Sequence, residues 1–152
     1  MAALGAKSAS GCPPELDRQI LECAARLAGG LKGDLHVVHT YVPIALARAR
    51  NSGAELATEL EVEHSYERSQ IEASTSAFGV TPGRVHIEMG TPERRLPDSV
   101  MENRADVIII SASLHGRWHR IFVGSTASSV LESLSCDVLV VTPLCSLSKA
   151  AV

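Results

Sequence analysis

The chain has 152 residues, a net charge of −3, 45% hydrophobic residues and 20% charged ones, the balance of one globular domain able to bury a full core. It is not basic enough to track a nucleic-acid backbone, and 3% aromatic residues leave no base-stacking platform. No apolar run approaches the length of a membrane span and no signal peptide is expected before the domain, so neither nucleic acid nor membrane is an expected partner and the cytoplasm is the expected location.

Residues 14–28 read as a helix. Leu16, Ile20, Cys23, Ala24 and Leu27 recur at helical spacing, and Gly29 and Gly30 offer a stop. The run LHVVHTYV, 35–42, is rich in β-branched residues and ends before Pro43. A long polar helix fits 53–78, loosely marked by Leu60, Glu67, Ile71 and Phe78, with Gly79 behind it. RVHIEMG, 84–90, reads as a strand. In the following GTPERR, Thr91 is placed to cap a helix and Pro92 to occupy its first position. Pro97 follows so soon that a kink or restart is expected there. DVIIIS, 106–111, is apolar without alternation, as in a strand covered on both faces. A loop leads to a helix from about 125 to 134, and DVLVVT, 137–142, is the last strand.

Helices alternating with strands indicate a parallel, doubly wound α/β sheet. Ligands in such sheets sit beyond the carboxyl ends of strands, at the switch in strand order, which directs attention to Thr40 and Ser111. A first strand is nearly missing, since only Ala2 to Leu4 precede the first helix. A shortened central strand would expose its neighbours. Either the domain tolerates a stub, or the natural polypeptide extends upstream of Met1.

The loop SLHGRWHRIFVGSTASS, 113–129, has the ingredients of a phosphate cradle. Glycines allow close backbone approach, and Gly124-Ser125-Thr126 opens a helix whose free N–H groups favour an anion. Arg117, His119 or Arg120 would add positive charge. The plainer reading of Ser125 and Thr126 is helix capping, which needs no ligand.

The segments LHVVHTYVP, GTPERRLPDSVMENRADVIIISAS and FVGSTASSVLESLSCDVLVVTP together resemble the universal stress protein family over nearly the whole chain. The resemblance implies a Rossmann-like, five-stranded parallel sheet of the adenine-nucleotide α-hydrolase-like type, here with its first strand largely truncated. It implies one domain over 1–145 with a short tail at 146–152. It also implies a homodimer formed through the last strand, from Asp137 to Thr142, and an upstream tandem domain as a further partner.

The ATP-binding branch of the family carries Gly-x-x-Gly, nine residues, then Gly-Ser or Gly-Thr. Here Ser113 stands at the first glycine and Gly116 at the second, and only the seven residues 117–123 separate Gly116 from Gly124-Ser125. The branch's acidic residue at the end of the first strand is Gly5, and the position that contacts adenine is Thr40. The candidate nucleotide or anion site therefore comprises Thr40, Ser113, Gly116, Gly124, Ser125 and Thr126. ATP is the candidate cofactor, without its usual cradle.

Other chemistry finds little support. His115 and His119 flank Gly116 with no Cys or carboxylate nearby to complete a metal site. His36 and His39 face opposite sides of their strand and cannot act as a pair. No G-x-S-x-G elbow accompanies the serines, although Ser125, Thr126 or Ser128 could accept a phosphate. Trp118 reads as a lid over the cleft or, more simply for a large apolar ring, as packing under the shortened loop. Cys12, Cys23, Cys136 and Cys145 lack metal or redox spacing and read as reduced packing thiols. The expectation is a non-enzymatic stress-response module that dimerises and binds a partner or small ligand. The alternative is an adenine-nucleotide-binding switch with a shortened phosphate loop.

Overall fold

A computed structural model describes residues 1–5, 14–48, 54–111 and 131–142. The elements are β1 (Ala2–Leu4), α1 (Pro14–Leu31), β2 (Val37–Tyr41), α2 (Ile44–Arg48), α3 (Ala54–Thr75), β3 (Val85–Met89), α4 (Pro92–Glu102), β4 (Val107–Ser111) and β5 (Asp137–Val141). Two short 3₁₀ turns, Ser76–Phe78 and Pro82–Arg84, join α3 to β3. Residues 131–133 are helical, within the helix expected before β5.

The five strands form one parallel sheet in the order β3-β2-β1-β4-β5. The stub is a real strand: its three residues pair with Val37, Val38 and His39 of β2, and Ala2 also pairs with Ile109 of β4. It is central and buried at Ala2 and Leu4, so the sheet is continuous across it.

Side-chain alternation sorts the strands between two layers. Ala2, Leu4, Val37, Tyr41, Val85, Ile87 and Ile109 pack with Leu16, Ile20, Leu21 and Ala24 of α1 and Ile71 of α3. Val38, Ile108 and Ile110 pack on the other face with Leu96 and Val100 of α4. Helices therefore cover both faces, and the apolar run of β4 is explained by burial on each.

Two helix expectations need correction. Helix α1 does not stop at Gly29; it continues through both glycines to Leu31. The reversal falls on Lys32, at φ 54°, with the Gly33 N–H donating to the Ala28 carbonyl at 2.9 Å, a Schellman closure. A Cβ on Gly29 or Gly30 would meet nothing within 4 Å, so no steric demand ends the helix there. Helix α4 is continuous through Pro97, so of the kink or restart expected there the restart does not occur. Pro97 lies so near the start that it removes only the bond to the Glu93 carbonyl, and its fixed φ suits a helix. The short helix α2 was not anticipated, and the tail expected at 146–152 lies outside the described residues.

Candidate functional site

The switch in strand order falls at β1, between β2 and β4. The carboxyl edge there is built from Leu4 and Gly5, Thr40 and Tyr41, Gly90 and Thr91, and Ser111. Of the sequence-derived candidates, Thr40 lies on this edge. It is 8% exposed and paired in register with Glu88, on the sheet face that Val38 shares with α4. Ser113, Gly116, Gly124, Ser125 and Thr126 lie outside the described residues, as do Trp118 and the His115/His119 pair.

An acidic group does reach the end of the first strand, from another element. The Gly5 N–H donates to Asp17 Oδ1 of α1 at 3.2 Å. The sequence could not give this away, because it depends on how α1 lies against β1.

Beside Gly5 runs a chain of polar contacts on the α3 side of the sheet. His39, 1% exposed, places Nδ1 3.4 Å from the Leu4 carbonyl and Nε2 3.5 Å from Glu67 Oε2. The Glu67 contact is of ion-pair length, yet Nε2 makes no hydrogen bond. The Tyr41 hydroxyl meets His64 Nδ1 at 3.2 Å. Burial, then Glu63 and Glu67, push the Tyr41 phenol up from its ordinary value, so it stays a neutral donor. Glu63 is itself engaged, accepting the backbone N–H groups of Ile44 at 2.8 Å and Ala45 at 3.3 Å. This array ties the ends of β1 and β2 to α3.

Toward β3, the GTPE motif forms a groove of about 510 Å³ lined by Val42, Met89, Gly90, Thr91, Arg94, Arg95 and Asp98. Gly90 adopts φ 138°, a conformation nearly reserved for glycine. Its N–H donates to the Tyr41 carbonyl at 2.8 Å, closing the loop onto β2. Arg95 folds back over it, donating from Nε to the Met89 carbonyl at 2.7 Å. Thr91 caps α4 by position, but its side chain makes no capping bond.

A second cavity, of about 350 Å³, opens at the opposite, amino edge among Met1, Ala28, Asp34, His36, Arg104 and Asp106. Strand ends of that polarity are not where parallel sheets bind ligands. Among the described residues no group of three or more His, Cys, Asp or Glu could hold a metal ion. Cys23 and Cys136 are free, partly buried thiols. Among the same residues no helix is long and apolar enough to cross a membrane.

An alternating helix–strand chain, a doubly wound sheet in this order and a Gly-Thr-Pro-Glu turn onto α4 define a class of doubly wound α/β domain whose strand order switches between β1 and β4. The model of the universal stress protein family matches residues 13–142, and the chain belongs to that family. Universal stress protein E of Escherichia coli (strain K12) is 30% identical over 73 residues, covering 48% of this chain and 23% of that protein. The chain spans less than half the length of the curated relatives it matches. A protein of unknown function from Pseudomonas aeruginosa, PA1789, superposes with a TM-score of 0.69 at 25% identity, covering 93% of this chain and 46% of that one. A universal stress protein solved in complex with cAMP shares the fold, with a TM-score of 0.53 and 18% identity over 93% of this chain and 94% of its own.

Proposed function

We propose that residues 1–145 act as a non-enzymatic stress-response domain that works in the cytoplasm by dimerising and by binding a partner or small ligand. The observation that carries this reading is β5. It ends the sheet, so its outer backbone groups have no strand partner among the described residues. Its side chains are exposed on both faces, Leu139 by 38% and Val140 by 36%. An apolar edge strand in this state is a template for another strand, and a second copy of β5 would bury it by symmetry.

Sedimentation equilibrium on the native chain and on Val140→Asp tests the dimer. The native protein sediments as a dimer and the variant as a folded monomer. A native dimer that survives the substitution unchanged rules out pairing through β5.

The second reading is an adenine-nucleotide-binding switch. It draws on the cAMP complex of a related fold and on Asp17, whose carboxylate lies at the end of β1 where the family's ATP branch keeps its acidic residue. Thr40, Ser113, Gly116, Gly124, Ser125 and Thr126 would form that site. The shortened spacing from Gly116 to Gly124 weighs against ATP in particular, because a cradle of backbone amides depends on its spacing.

A further inference from the structure

His36 and His86 meet at the amino edge of the sheet. Val38 pairs with His86, so His36, two residues earlier, is its diagonal neighbour on the same face. His36 Nδ1 and His86 Nε2 are 2.9 Å apart. The ring planes are only 5° from parallel and the centroids 5.2 Å apart. That separation is the nitrogen–nitrogen distance plus the two ring radii, so the rings meet edge to edge, with an N–H···N bond between them.

Such a bond has a definite proton capacity. In the neutral pair one inner nitrogen carries the bridging hydrogen and the other accepts it. A first added proton lands on the outer nitrogen of the donor ring. The bond is kept and becomes charge-assisted. A second must land on the accepting nitrogen inside the bond, which then breaks and leaves two imidazolium rings in contact. We propose that His36 and His86 form one proton-binding unit, which takes up a single proton with β2 and β3 in register and releases the amino-terminal half of edge strand β3 when it takes up a second.

The surroundings set what the second step must overcome. Arg84, from the turn before β3, bridges to Asp34, from the turn before β2, at 2.7 Å, so the same strand starts are clamped twice. Arg68 of α3 reaches the Val85 carbonyl at 3.5 Å. Glu102 at the end of α4 offers His86 a compensating negative charge, and the Met1 ammonium adds a positive one near His36. Burial first, and then neighbouring positive charge, hold both imidazoles below the ordinary histidine range.

The test is an imidazole ¹H–¹⁵N NMR titration of the full chain from pH 8 to 5, with amide exchange followed in β3. The expected result is coupled: both rings respond in both of two steps, separated by more than about one pH unit. Protection of the His86 amide, which lies on the side of β3 that faces β2, is lost in the second step. In His36→Asn, His86 titrates in one step, closer to the ordinary histidine range but still below it, because burial and Arg68 remain. Independent single steps, with β3 protection constant to pH 5, overturn the proposal. If the variant fails to fold, the native titration alone distinguishes these results.

Discussion

Gly90 is held at φ 138°, and a Cβ there would lie 3.0 Å from Arg95 Nε. Only glycine reaches this conformation cheaply, so Gly90→Ala is expected to lower stability by about 1–3 kcal/mol in urea unfolding. An unchanged midpoint would mean that the turn relaxes freely. The paired histidines make a different prediction. Each has its folded value lowered, so the unfolded chain binds protons more readily. Their contribution to stability is complete above the unfolded value of about 6.5, and it falls as pH drops from there toward the lowered folded values. Replacing both with Asn should flatten the urea midpoint across that window. An equal slope in the variant would assign the pH dependence to other groups. Neither this pair nor the approach of Asp17 to Gly5 was legible in the sequence, because both depend on how separate elements align in space. Gly90 and Thr91 were legible, since the requirements of a strand–turn–helix are local.

Helix α1 carries two exposed glycines in its last turn and reverses on a lysine. Gly29→Ala and Gly30→Ala should each stabilise the domain by about 0.5–1 kcal/mol, because a helical glycine costs that much relative to alanine and the added methyl groups meet open space. Lys32→Gly should add about 1 kcal/mol by relieving the left-handed conformation at φ 54°. Thermal or urea unfolding checks all three, and a loss of stability from the alanines would place the helix end back at Gly29. The strands were read within one or two residues, since runs such as VIIIS in β4 have no amphipathic alternative. Helix α2 was missed for a physical reason. It has five residues, too few for periodicity to register, and its first N–H groups are satisfied by Glu63 from α3. Its support comes from outside its own sequence.

At the scale of the whole molecule, alternation of elements was enough to specify the doubly wound sheet, and the family's motifs were enough to specify its class. The three-residue β1 holds the centre through pairing on both sides and through the His39 contact with the Leu4 carbonyl. The candidate nucleotide site was legible only as a pattern of spacing, and of its six residues Thr40 alone falls among those described. The molecule is expected to act through association rather than through an ATP cradle. Calorimetric titration of ATP into the native chain tests this most directly. No saturable heat is expected up to millimolar ATP, while micromolar binding that disappears in Gly124→Val would contradict this mode of action.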